Sequence, residues 1–314
     1  MTHMRALVVV NPRATTTTER TRDVLLSALR NDLELQVAET THRGHATELG
    51  RQARNDGLDL VVALGGDGTV NELINGLLES GPGQRAGDVP DIAMVPGGST
   101  NVLTRNLGIP ENPIEATGLL LDALRDGRRQ PLGLGRLDDR YFTFTAGAGL
   151  DADVIHAVED ARDGGRKATP ALYIRTALRR YFAQPDRRHG AITLEPDGSP
   201  EARVSGLGVV VISNCSPWTY LGSRPLRPTP YADFNAGLDV FGLDSLALVP
   251  TLASVAQMAT RRGPRGRHVV SLHNQRGFTL RAERPVPVQV DGDYIGERDL
   301  VTVSAVPDAI RVAY

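Results

Sequence analysis

Four times in its first hundred residues the chain runs through a short apolar stretch, then a cluster of glycine, threonine or asparagine, then a helical pattern. The clearest instance is LDLVVALGGDGTVNELINGLLES, residues 58–80. Residues 58–64 form a nearly continuous apolar run, which suits a strand buried on both faces. Beyond the glycines, Val70, Leu73, Ile74, Leu77 and Leu78 recur at the spacing of one helix face. The same reading makes residues 5–10, 33–39 and 91–95 strands. It places helices around Val24, Leu25, Ala28 and Leu29, at residues 45–56 and at residues 114–125. Such alternation predicts a mostly parallel α/β sheet with function at the carboxyl ends of its strands.

Those ends share one chemistry. Asn11 and Pro12 follow the first strand, with hydroxyls at Thr15 to Thr18. Thr40, Thr41 and RGHA follow the second, and Gly65, Gly66, Asp67, Gly68 and Thr69 follow the third. PGGSTN (96–101) follows the fourth. The free N–H groups of a first helical turn favour an anion, and glycines let the backbone approach it. Asp67 is the odd member, because a carboxylate repels phosphate unless a divalent cation or a proton stands between them. Taken alone, the stretch also reads as a tight turn with a helix cap. Two Gly-Gly rims in successive units favour phosphate. Lys167 is the only lysine, so any nucleotide is held without a phosphate-loop lysine.

After about residue 132 the texture changes to short strand-like runs between turn residues: RYFTFTAGAG, GAITLEP, GLGVVVISN, LDVFGLDS, RGFTLRAE, VPVQVDGD and DLVTVSAV. They predict a mainly β, sandwich-like second domain over 132–299. The first domain spans 1–131, and a last strand at about 300–314 returns to it. Helices are expected at 170–184 and 251–263, and exposed loops at 159–170 and 264–268.

Hydrophobic residues make up 40% of the 314 and charged residues 23%, which describes a soluble globular protein, and no stretch approaches the roughly 20 apolar residues of a membrane span. A net charge of −2 argues against nucleic acid as the main partner. One cysteine, Cys215, excludes an intrachain disulfide and a cysteine metal cluster. The opening MTHMRALVVVNP is too short in its apolar part for a signal peptide, so the protein reads as cytoplasmic.

The motifs NP, GGDGTVNELINGL and PGGSTNVLTRNLGIP resemble the catalytic signature of the soluble diacylglycerol kinase and sphingosine kinase family, and GAGLDADVI, PALYIRTALR and VQVDGD follow in the family's order. The resemblance implies an ATP-dependent lipid kinase with the fold shared by NAD kinases and diacylglycerol kinases. It implies Mg²⁺ alongside ATP. Carried over by position, it assigns nucleotide contacts to Asn11, Thr40, Gly65, Gly66, Asp67, Gly68, Thr69, Val70, Asn71 and Ser99, the last standing where the family more often has threonine. Asp67 acts through the ATP-bound Mg²⁺. Glu72 either supports the site or is a first-turn acid favoured by the helix dipole. Val102 replaces an aspartate that often follows the family's asparagine, which leaves Asn101 to hold that helix end.

The family's Asp-Gly-Glu is here Asp291, Gly292 and Asp293. Asp293 takes the base position on a shortened side chain, and Asp291 helps with metal or orientation; without the family, Asp-Gly is a hairpin-turn signal. Where relatives hold a structural Mg²⁺ with Asn-Asp-Gly-Leu, this chain has Asn235, Ala236, Gly237 and Leu238, so that site is expected to be lost at Ala236, with Asp233 or Asp239 left to compensate.

Diacylglycerol is the first expected acceptor, then a sphingoid base or another lipid alcohol. A peripheral membrane surface and a second copy of the chain are further expected partners. Leu172, Ile174, Leu178, Tyr181 and Phe182 with Arg175, Arg179 and Arg180 form one patch for an anionic membrane, and RRGPRGRH (261–268) a cationic tip. Trp218 and Tyr220 line an acyl pocket or pack beneath their loop. NAD kinase and a non-catalytic nucleotide-binding regulator are the competing readings.

Overall fold

In a parallel sheet the order in which strands are laid down decides where a ligand can enter, and the first 130 residues lay down four in sequence. The computed structural model describes residues 4–12, 14, 18–79, 87–164, 169–183 and 190–314. Thr15 to Thr17, Lys167 and residue 184 lie outside the described residues. Strand β1 (Met4–Val10) is followed by α1 (Glu19–Arg30), β2 (Leu33–Glu39), α2 (His45–Asn55) and β3 (Leu60–Gly65). Then come α3 (Asp67–Leu77), β4 (Asp91–Pro96), α4 (Val102–Asn106) and α5 (Pro113–Arg125). All six residues of β3 are buried, as a central parallel strand requires. The order is β2-β1-β3-β4, all parallel, with Val8 opposite both Val37 and Val62. The chain therefore reverses direction across the sheet between β1 and β3. Ligands of open α/β sheets bind outside the carboxyl ends at that point. Here those ends are Asn11 and the Gly65-Gly66 pair.

The first compact unit comprises Met1–Gly133 and Pro307–Tyr314; the second is Leu134–Val306. The second begins in β5 (Gln130–Leu137) and continues with β6 (Arg140–Phe142), β7 (Thr145–Gly149), α6 (Leu150–Asp163) and α7 (Pro170–Ala183). Strands β8 (Ile192–Pro196), β9 (Val204–Leu207), β10 (Val209–Ser213), β11 (Thr219–Leu221), β12 (Arg224–Leu226) and β13 (Leu238–Leu243) follow. After α8 (Leu248–Met258) come β14 (Val269–Gln275), β15 (Gly277–Val290) and β16 (Asp293–Val312), whose last residues return to the first unit, where Val312 pairs with Ile92 of β4. Antiparallel pairing runs β14-β13-β10-β7-β15-β16. Alternation along β10 fills both faces: Val210 and Ile212 join Phe142, Leu194 and Phe278 on one, and Val209 and Val211 join Tyr181, Phe241 and Leu246 on the other.

Two expectations change. RGFTLRAE and VPVQVDGD are one strand, β15, because a register shift between Arg281 and Val286 absorbs Pro285 where a break was expected. Residues 159–163 end a helix rather than a loop: α6 runs from Leu150 with Ala152 and Val158 buried, and had no counterpart in the sequence reading.

Candidate active site

At the carboxyl edge of the first unit the two Gly-Gly pairs touch backbone to backbone. A Cβ on Gly98 would stand 2.8 Å from the Gly66 Cα, and one on Gly97 would stand 3.1 Å from the Gly65 Cα. Gly97 N–H donates to the Gly65 carbonyl at 2.8 Å. These four glycines are required by the fold itself. Gly68 is different. It occupies the first turn of α3, is exposed, and a Cβ added there would meet nothing within 4 Å. A helical glycine without a packing reason costs stability; Gly118, exposed in α5, is another such position, and Gly68 differs from it in standing on the glycine-rich rim.

Asn11 joins this rim by donating from Nδ2 to the Thr69 hydroxyl at 3.1 Å, and Thr40 N–H donates to the Val10 carbonyl at 2.9 Å. Ser99 is exposed on the neighbouring loop, whereas Val70 and Asn71 are buried in α3. Both Asp67 oxygens are engaged: one accepts from Val102 N–H at 2.9 Å and the other from Leu103 N–H at 3.2 Å. Asp67 thus ties the start of α3 to the start of α4. Asn101 was expected to hold that helix end and does not. It adopts φ +49°, and its side chain folds back on Gly98, accepting from N–H at 2.9 Å and donating to the carbonyl at 2.8 Å. The Glu72 carboxylate accepts from Gly44 N–H at 2.9 Å and Ala46 N–H at 3.2 Å, and so caps α2.

In the second unit, Asp291 (φ +47°) and Gly292 (φ +84°) form the two-residue turn between β15 and β16, with Val290 paired to Asp293. Asp291 is 8% exposed and accepts four hydrogen bonds, from Thr143 N–H and Oγ1 at 2.7 and 2.8 Å and from Phe144 and Thr145 N–H at 3.0 Å each. Burial pushes its carboxyl above the ordinary range, with the hydrogen bonds pulling the other way. Asp293 is half-buried and pairs with Arg140 at 2.9 Å. A third carboxylate was not singled out from sequence. Asp151, in the first turn of α6, is pushed up to about 6 by burial, opposed by a hydrogen bond from Gln289 Nε2 at 2.9 Å. Gln289 Oε1 accepts from Gly292 N–H at 2.9 Å, which links Asp151 to the Asp-Gly-Asp turn. Its sequence signal was an acid just after a buried glycine-rich strand.

Residues 5–137 match the family model described as the diacylglycerol kinase catalytic domain. That segment carries the diacylglycerol kinase catalytic-domain signature. Among curated relatives, the diacylglycerol kinase of Bacillus subtilis is 26% identical over 84% of this chain and 80% of its own length. A probable lipid kinase of Chromohalobacter salexigens is 36% identical over 39% of this chain, and a diacylglycerol kinase of Staphylococcus aureus is 30% identical over 46%. Those two matches span 37% and 44% of the relatives' lengths. A solved diacylglycerol kinase structure from Bacillus anthracis superposes with a TM-score of 0.71 at 19% identity, covering 100% of this chain and 98% of that one. A second Bacillus anthracis structure gives 0.75 at 21%. The structural likeness shows the fold. The family match makes the protein a lipid kinase by its catalytic domain.

The kinase domain's matched segment takes in all the rim residues of the first unit but neither Asp151 nor the Asp291–Asp293 turn. His42 and His45, near that rim, stack on each other with centroids 5.0 Å apart, and His45 Nδ1 accepts from Thr41 N–H at 3.1 Å. In α7, Tyr181 is buried and donates from its hydroxyl to the Leu246 carbonyl at 2.8 Å, while Ile174, Leu178 and Phe182 are exposed. Trp218 packs against the cluster around Phe241. At the segment carrying Ala236, the Asp239 carboxylate is taken by His273 Nδ1 at 2.6 Å and Asn274 N–H at 2.9 Å, and Asp233 is turned onto Asn235. Among the described residues no group of three or more metal-ligating side chains occurs, and no helix is long and apolar enough to cross a membrane.

Proposed function

We propose that the protein transfers the γ-phosphoryl group of ATP to the hydroxyl of a lipid alcohol, with diacylglycerol as the first acceptor and a sphingoid base as the next. The observation that carries this reading is Gly68: an exposed first-turn position kept free of a side chain where nothing in the protein needs the space. Phosphate oxygens fit there, against the N–H groups that open α3, with Asn11, Thr40, Thr69 and Ser99 adding polar contacts from the same rim. Gly65 and Gly66 shape the cradle, and Val70 and Asn71 contribute through the backbone of the first turns. Asp67 would meet Mg²⁺ through water: its carboxylate stands at the opening of α3 beside the proposed phosphates, where it also accepts from the first N–H groups of α4. Mg²⁺, when bound, would neutralise phosphate charge.

As the lipid oxygen bonds to the γ-phosphorus, the bond to the bridging oxygen breaks, ADP leaves, and the hydroxyl proton passes to a carboxylate. Asp293 is the base that the family pattern favours, held by the turn that Asp291 anchors. Its pairing with Arg140 favours a second reading, in which Asp151, already near 6, takes the proton.

The test is transfer of labelled phosphate from ATP to diacylglycerol in mixed micelles, run beside NAD, with wild type, Asp67→Asn, Asp293→Glu and Asp151→Asn. Labelled lipid that disappears in Asp67→Asn, with the fold intact by circular dichroism, supports the kinase. A faster Asp293→Glu assigns the base to Asp293. Transfer to NAD alone points to the other kinase, and ATP binding without transfer to a regulator.

A further inference from the structure

We infer that α8 and the arginine loop after it dock the protein on an anionic bilayer. The inference rests on the lipid-kinase reading for its purpose and on the following geometry for its location. Helix α8 is inside out. Its one fully buried residue is Ser254, while Leu248, Val249, Leu252 and Val255 are 48%, 78%, 53% and 55% exposed. No residue of the helix carries a charge. A helix facing water normally presents charged and polar residues outward. This one presents aliphatic residues along a single stripe and buries Ser254, with Thr251 and Gln257 half-buried.

The charge missing from α8 follows directly after it. Arg261, Arg262, Arg265 and Arg267 are all exposed. From Ser245 to Ala282 the chain contains no aspartate or glutamate. Among the described residues none of the four arginines has an ion-pair partner. Arg262 and Arg265 also line a cavity of about 250 Å³ with Pro230, Tyr231 and Pro264. Tyr231, 67% exposed, stands at its margin. Two guanidinium groups and a phenol around a cavity of that size suit the phosphodiester of a lipid headgroup. An apolar stripe beside it suits the acyl boundary just beneath.

A second copy of this chain fits less well. Eleven helical residues span about 16 Å, and at a helix width of about 10 Å they cover on the order of 200 Å², well short of the roughly 800 Å² per partner of a stable interface. A symmetric contact would also bring two arginine loops together with no acidic residue in the segment to offset them.

The experiment is flotation of the full chain with vesicles of phosphatidylglycerol and phosphatidylcholine, or of phosphatidylcholine alone, without ATP. Wild type should float with the anionic vesicles and stay behind with the neutral ones. Val249→Glu with Leu252→Glu should abolish flotation. Arg262→Gln with Arg265→Gln should weaken it about 25-fold, roughly fivefold for each arginine near an anionic surface. All these positions are exposed, so unchanged circular dichroism melts are expected. Wild type that ignores anionic vesicles, or variants that float as it does, would overturn the inference. So would a dimer in sedimentation that the glutamate pair dissolves while vesicle binding stays intact. Transfer to diacylglycerol in detergent micelles is measured separately. Failure there with flotation intact removes the kinase reading alone, and the reverse removes only this surface.

Discussion

Replacing Gly68 with alanine should move stability and nucleotide affinity in opposite directions. The residue is the second of α3, lies outside the positive-φ region, and has room for a methyl group. Alanine gains roughly 0.5–1 kcal/mol over glycine in a helix, and the lower end suits a first-turn position. For a protein of this size that raises the melting point of the free protein by about 1–2 °C. In the proposed complex the same methyl group occupies the space of a phosphate oxygen. Forfeiting one charge-assisted hydrogen bond there costs roughly 1.5–3 kcal/mol, which weakens ATP at least tenfold. Scanning calorimetry of the free protein and titration calorimetry with ATP and Mg²⁺ read the two quantities separately. Gly98→Ala is the contrast, since its Cβ would stand 2.8 Å from the Gly66 backbone and should lower both. An unchanged ATP affinity in Gly68→Ala would show that no phosphate lies over this turn. A fall in both quantities would show that the position is structural, and the reading of the loop would fail.

Three other perturbations bear on separate parts of the molecule. Burial raises Asp151 from its ordinary value of 3.8 to about 6, so its ionised form is costlier folded than unfolded, and the protein loses about 3 kcal/mol as pH rises from about 4 to about 6. Asp151→Asn should therefore be stabilising at pH 8 and close to neutral at pH 4; equal melting points at pH 8 would contradict the assignment. Asp91, 5% exposed, accepts from Arg129 at 2.6 Å and Arg311 at 2.7 Å, and so fastens β4 to the returning end of β16. Asp91→Ala should cost about 3 kcal/mol by stranding Arg129, which urea unfolding measures, and a loss below 1 kcal/mol would show that the arginines find water instead. Dialysis of the free protein against EDTA should leave its melting point unchanged, because Asp239 is held by His273 and Asn274 N–H; a drop that Mg²⁺ restores would mean that a cation is held there after all.

What could be read from the sequence was whatever depends on neighbours along the chain. The period of the apolar residues gave β3 and α3, and the glycine-rich turns marked the strand ends. The Asp-Gly pair at 291–292 is the hairpin turn that composition favours. Partners far apart in sequence were not legible. Asp67 reaches 35 residues to Val102, Glu72 reaches 28 back to Gly44, and Asp291 collects its donors from Thr143 to Thr145. Nothing local in those stretches announces the contacts. Asn101 shows the consequence: with no aspartate following it, it was made the holder of α4, because the carboxylate that holds the helix comes from another strand's loop.

The same distinction separates the two meanings of glycine in the motif that defines the rim. Gly65 and Gly66 stand against Gly97 and Gly98 so closely that side chains on them would force the strand ends apart, and that requirement would exist in a protein that bound nothing. Gly68 has no such neighbour. A motif read as a unit attributes every glycine to the ligand, whereas the contacts assign all but one to the backbone. The functional claim therefore narrows to a single residue, and it is stronger for being narrow. Four structural glycines place α3 and α4 side by side with Asp67 clasping the pair, and the position they leave open is the one where an added methyl group separates folding from binding.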